Sequence, residues 1–303
     1  MRVKPITFAP LGAKLLLIKS PRNFLRMIRP AVINTAITTK QKFSVEMAAS
    51  SMNKNGRNAA ITLNRALYHF SRHWLLAISL LLIIFNGLPW LAPIFMELGW
   101  ERAGKVIYLI YSILCHQMPQ RSFFLFGNSP MIPLDKVQAI WQDTANPLIL
   151  RQFVGNTAVG WKVAWSDRMV YMYTSPLLFG FAFWPLRRRL KPLSLWGFLL
   201  FLLPMAVDGT THIISELFSG IGGGFRYTNA WLASLTNHAF PATFYVGDAF
   251  GSFNSWMRLL SGLLFGLGVV WFAYPRFHLA FNVTANKISL KFLNANKSLE
   301  LRE

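Results

Sequence analysis

Pro204-Met-Ala-Val-Asp-Gly-Thr-Thr-His-Ile-Ile-Ser-Glu-Leu-Phe218 ends an otherwise apolar run that begins at Leu193, and it sets three ionisable side chains inside a predicted membrane helix. At about 100° per residue, Asp208, His212 and Glu216 fall within an arc of roughly 80°, and Thr211 and Ser215 widen this polar face to about 140°. Val207, Ile213, Ile214 and Leu217 point elsewhere. An ionisable group at such depth costs at least ~2.5 kcal/mol unless it faces a bundle interior, a cavity or a partner. Counting ~1.5 Å per residue from Leu193 puts Asp208 about 22 Å into a core of ~30 Å, with Glu216 at the far interface. The face is a candidate site; the alternative is a wet helix end among the headgroups.

Composition agrees with a membrane setting. The 303 residues are 53% hydrophobic and only 14% charged, with 26 Phe and 11 Trp, too apolar and charge-poor for an ordinary soluble domain. The net charge of +20 comes from basic residues in tails and loops that flank apolar runs. Positive-inside topology accounts for them without nucleic acid, and the bilayer is the expected partner. The single cysteine, Cys115, excludes an internal disulfide framework.

In order, the chain reads as an all-α polytopic membrane bundle of about five membrane-embedded helices, four or five of them crossing. Residues 1–73 form a basic tail with a single acid, Glu46. Organellar transit peptide, anionic-lipid contact and a true start at Met47 or Met52 are alternatives for it. Residues 74–276 are the bundle and 277–303 a polar, basic tail. The first helix is Trp74–Met96. The second, Gly99–His116, has a charge-free stretch of only Val106–Cys115, short for a span. Residues 117–167 are a long mixed connection. Met169–Leu186 follows, then the Asp208 helix, a glycine hinge at 220–224 and an aromatic stretch at 225–255 suited to a lid at headgroup level. Trp256–Tyr274 is the last helix, and its Gly262 and Gly266 allow close approach, self-association included.

The short basic loop Arg187–Lys191 cannot leave its face of the membrane, so the third helix starts, and the fourth ends, on the opposite face. If residues 117–167 do not cross, Cys115, His116, Arg121, Asp167, Arg168, Asp208, His212, Glu216, Asn254 and Arg258 gather there. Basic ends sharing the cytoplasmic side require an even number of crossings, four with residues 99–116 at the interface or six.

Three stretches, Cys115-His-Gln-Met-Pro-Gln-Arg-Ser-Phe-Phe-Leu-Phe-Gly127, Pro204-Met-Ala-Val-Asp-Gly209 and Asn254-Ser-Trp-Met-Arg258-Leu-Leu-Ser-Gly262, resemble a group of predicted prokaryotic multi-pass membrane proteins classified only as a domain of unknown function. The similarity covers roughly Trp74 to Pro275. Many members carry a Cys-x-Arg-Cys stretch at the head of the third helix, which would imply a metal or redox site with Cys115 and His116. Here Trp165-Ser-Asp-Arg168 stands instead, without a cysteine, and the resemblance assigns no activity.

Several chemistries fit the cluster. Asp208 and His212, one turn apart, present a carboxylate and an imidazole that His116 or Asp167 would complete as a divalent-metal shell. Acid–base work by Asp208, His212, His116 or Cys115 is a second reading, with Arg121, Asp167, Arg168, Glu216, Asn254 and Arg258 as binding residues. Structural pairing of Asp208 with Arg168 or Arg258 is a third. The function classes are a membrane-embedded enzyme acting on a lipid-like substrate, an ion or solute transporter, and a non-catalytic assembly protein. The localisation expected is the plasma or inner membrane.

Residues 1–46 hold no segment able to span, so a chain starting at Met47 should reach the membrane fraction with unchanged melting. Loss from that fraction would make the segment structural or a targeting signal.

Overall fold

The computed structural model describes residues 54–294. The readings of residues 1–53 as tail, leader or alternative start lie outside that range. The chain divides into one unit up to Arg65 and one from Ala66 onward. Helix α1, Lys54–Arg72, carries basic residues without an acid in its first turn and stops at His73. Helices α2 (Trp74–Glu97) and α3 (Glu101–Tyr111) follow, then a 3-10 turn at Pro119–Arg121. Strand β1 (Ser122–Leu125), short helices α4 (Leu134–Ile140) and α5 (Pro147–Leu150), and strands β2 (Gly155–Asn156) and β3 (Gly160–Ser166) fill the long connection. Helices α6 (Asp167–Leu186) and α7 (Leu195–Ser219) come next. Short helices α8 (Gly224–Thr228), α9 (Ala230–Leu235) and α10 (Ala242–Tyr245) lead into α11 (Phe253–Asn294).

Among the described residues three helices, α2, α7 and α11, are long and apolar enough to cross a membrane. Five crossings are not supported. The second expected segment is an 11-residue helix, about 16 Å long against a core of ~30 Å. Helix α6 is 20 residues long, but Tyr, Thr, Ser and Pro dilute its apolar character. The all-α expectation also needs correction, because residues 117–167 contain a three-stranded antiparallel sheet in the order β1-β3-β2. Phe124 pairs with Lys162 and Ser122 with Ser166, and a bulge lies between. Both faces of β3 are covered, so Val163, Ala164 and Trp165 are all buried together with Lys162, although in the sequence Trp161, Val163 and Trp165 alternate with Lys162, Ala164 and Ser166 as in a half-exposed strand. Beyond the expected end of the last helix, α11 continues through Pro275 to Asn294.

Small residues fix how the long helices meet. A Cβ on Gly266 would stand 1.9 Å from Ser175 Oγ, and one on Gly262 would stand 2.7 Å from Tyr171 Cβ, so α11 lies directly on α6. Gly268 makes the same approach to Phe201 of α7. The Gly262 and Gly266 face read as a self-association surface is thus occupied within the chain. Ser175 donates to the Gly262 carbonyl across the junction at 3.0 Å.

Two aromatic clusters brace the ends. Trp74 of α2 packs with Phe183 and Tyr274 at one end. At the other, Trp165 is wedged between Phe85, Tyr111 and Tyr173. Outward, α2 shows Leu80, Leu81 and Ile84, and α7 shows Trp196, Leu200, Leu217 and Phe218, all exposed. Contiguous apolar surface of this kind belongs in lipid rather than water.

The packing gives a direct test. Gly266→Ala should lower stability by about 1–3 kcal/mol, the usual cost of overpacking, whereas Leu264→Ala nearby should cost less because Leu264 is partly exposed at 36%. Denaturant titration of both variants in one detergent checks the ordering.

Candidate functional site: a buried arginine and carboxylate network

At the end of the bundle where α6 and α11 begin and α7 stops, four guanidinium groups meet four carboxylates. Asp167 is the first residue of α6 and Arg258 lies in the second turn of α11. Arg258 Nε donates to both Asp167 oxygens at 2.8 and 2.7 Å. Its Nη1 donates to Asp248 Oδ1 at 3.0 Å, and its Nη2 to the Asp248 carbonyl. Asp248 also receives Arg121 Nε at 2.9 Å, and Arg121 continues to Glu216. Asp208 stands between Arg226 and Arg168. Its Oδ2 is 2.8 Å from Arg168 Nη2 but out of line for a hydrogen bond, so that contact is electrostatic. His212 Nε2 is 3.1 Å from Arg226 Nη2 and 4.0 Å from Asp208 Oδ1. A guanidinium only donates, so this nitrogen is the acceptor and its proton sits on Nδ1.

Local sequence explains the placement. Gly209 leaves Arg168 room to pass over α7, since a Cβ there would meet Nη1 at 3.4 Å. Gly224, at φ +78°, has Ser215 Oγ only 2.4 Å from where its Cβ would stand, so α8 lies tightly on α7. Arg226 N then donates to Ser215 Oγ at 3.0 Å. Asn254, one turn before Arg258, donates to the carbonyls of Arg226 and Gly247 at 2.6 and 2.9 Å, pinning residues 225–252 as a cap over the network. Burial alone pushes the Asp248 carboxyl up, but Arg121 and Arg258 outweigh it and hold the group below its ordinary value.

Of the residues expected to converge, Arg121, Asp167, Arg168, Asp208, His212, Glu216, Asn254 and Arg258 do so. Cys115 lies apart, 3.4 Å from Ser166 Oγ, at the stretch where the resemblance places cysteines. His116 is exposed. Among the described residues no group of three His, Cys, Asp or Glu side chains could hold a metal ion, and each Asp208 oxygen faces a guanidinium. Arg226 and Asp248 were not anticipated. Their signal was available, because they are the only Asp, Glu, Lys or Arg residues in the aromatic stretch 225–255.

Beside the network, Lys162 of β3 is wholly buried, yet its Nζ meets carbonyls rather than carboxylates, Gln117 O at 2.8 Å and Arg151 O at 2.9 Å. Two acceptors suit the two N–H bonds of a neutral amine. Burial, against Cys115 and with Arg151, pushes the group down to about 7. The unfolded chain keeps the proton up to about 10.4, so between these pH values it binds more protons than the folded chain and stability rises with pH. Denaturant unfolding should show a gain between pH 7 and 9.5 with a limiting slope of about 1.4 kcal/mol per pH unit. In Lys162→Met that slope should be absent.

Comparison with known proteins adds one distant likeness. The chain is 29% identical over 175 residues to a protein of Methanocaldococcus jannaschii named Uncharacterized protein MJ1492, a match covering 54% of this chain and 87% of that one. No family model matches, and no solved structure matches. Together with the apolar helices, this relative is consistent with a membrane protein of unknown activity.

Proposed function

We propose that the protein is a multi-pass protein of the plasma or inner membrane whose network forms an acid–base site for a lipid-like substrate at the extracytoplasmic face. In this reading α6 is a fourth span. Asp167 at its start is paired with Arg258 of α11, and Gly262 and Gly266 hold the two helices side by side. Helix α3 then lies at the interface, and the Arg187–Lys191 loop shares the cytoplasmic side with the end of α11.

The observation supporting catalysis is the setting of His212. It lines a cavity of about 10 Å³ with Arg121, Ser215, Glu216, Arg226 and Tyr227, room for roughly one water. Arg226 Nε is buried without a partner, a donor such a water would satisfy. With Nε2 accepting from Arg226, the Nδ1–H of His212 is left to donate to such a water, and the imidazole would take up a proton only after Arg226 releases Nε2. The arginines would stabilise developing negative charge. The surrounding apolar surface favours a lipid-like substrate. An ion path is less favoured, because the charged side chains described in α2 and α6 lie at the helix ends and those of α7, Asp208 and Glu216, lie in its second half, which leaves the other half of these helices without charge.

A second reading has its own support. The four guanidiniums and four carboxylates cancel in charge, as expected of a non-catalytic latch closing the bundle.

His212→Gln separates the two. Catalysis predicts unchanged melting with loss of the lipid-composition change that the wild-type protein causes in its expression host, read by mass spectrometry. Identical lipid profiles for wild type and variant would sink the enzyme reading. The latch predicts instead that Asp208→Asn destabilises by about 3–5 kcal/mol and that additional removal of Arg226 recovers part of that loss.

A further inference from the structure

We infer that the cap, residues 225–252, is inserted into the leaflet on the site-bearing face, so that lipid covers its outer surface and lies against the cover of the network. The inference deepens the proposed substrate class but rests only on the membrane setting, not on acid–base chemistry.

The cap hides its charged groups and exposes large apolar side chains, with Ser234, Asn237, His238 and Thr243 exposed among them. Asn229 and the Asn254 that anchors it are wholly buried, and Arg226 and Asp248 nearly so. Leu235 is 75% and Phe250 62% exposed, and Trp231, Phe240 and Val246 are exposed as well. In water this arrangement would leave large apolar side chains hydrated while burying groups that water solvates well. Between residues 227 and 247 there is no Asp, Glu, Lys or Arg. A segment lying on a charged aqueous surface has no need of that restriction.

Side chains of the protein satisfy several groups of the irregular backbone, the kind of pairing lipid contact favours. Asn229 Nδ2 donates to the Tyr245 carbonyl at 2.8 Å, and Phe240 N donates to Tyr245 Oη at 3.1 Å. Asn254 takes the Arg226 and Gly247 carbonyls. The outer surface also follows directly from lipid-facing α7, whose last turns expose Ile213, Ile214, Leu217 and Phe218. Aromatic and leucine side chains on short helices are the pattern of segments lying in the headgroup and acyl boundary.

Spin labels test this in the full chain. In a Cys115→Ser background, Leu235→Cys and Phe250→Cys are labelled separately in phosphatidylcholine and phosphatidylglycerol vesicles, with Leu200→Cys as the lipid reference and Lys136→Cys as the water reference. Labels on the cap should resemble Leu200, more accessible to oxygen than to a water-soluble nickel chelate. If one cap variant does not fold, the other carries the test. Nickel accessibility equal to that at Lys136, or exclusion of both reagents, would overturn the inference. An aqueous Leu200 label would instead overturn the membrane reading, and lipid-buried cap labels with an unaltered lipid profile in His212→Gln would remove the catalytic reading alone.

Discussion

The bundle depends at one end on Arg258. Its guanidinium, 1% exposed, grips Asp167 at the head of α6 and both the side chain and the carbonyl of Asp248 in the cap. Three separate parts of the chain are held by one side chain. Desolvating so many charges is costly, and well-packed apolar residues often serve stability as well. The network therefore restricts the geometry: a guanidinium fork accepts few arrangements of two carboxylates, so the head of α6 and the cap can dock in only one way.

Glycine packing and charge pairing reinforce one another. Gly262 and Gly266 lie four and eight residues beyond Arg258, on the side of α11 that meets α6. Close approach of the backbones brings Asp167 within reach of the arginine, and the ion pair in turn fixes the axial register of the helices. The cap is fastened by the same helix through Asn254, one turn earlier. A single face of α11 thus organises the span, the site and the cover over the site.

The sheet supplies what the helices lack at that end. Strand β3 delivers Trp165 into the aromatic wedge and Asp167 to the head of α6, while Lys162 ties it to the carbonyls of Gln117 and Arg151. Gln117 adopts φ 52° and donates through Nε2 to the Tyr108 carbonyl at 2.8 Å. The segment after α3 is thereby bent so that Arg121 faces the network and His116 faces outward.

Much of this was legible in the sequence. Apolar runs marked α2, α7 and α11 because hydrocarbon demands length and excludes charge, and both properties are local. The spacing of Asp208, His212 and Glu216 gave one polar face, and the short Arg187–Lys191 loop gathered the opposite helix ends on a common side. Pairing was decided only by tertiary structure. Periodicity places Asp208 on a face but cannot choose among arginines, and the partners it meets are Arg168 and Arg226, while Arg258 is taken by Asp167 and Asp248. Strand β3 had a six-residue alternation in Trp161-Lys-Val-Ala-Trp-Ser166, but its Lys162 face is buried as well, which a polar residue in the sequence does not announce. Gly262 and Gly266 announced a close approach, but the neighbour they admit is set by where the chain returns, and it is α6. Local chemistry fixed which groups had to be hidden, and only the folded backbone fixed which opposite charges came within reach to hide them.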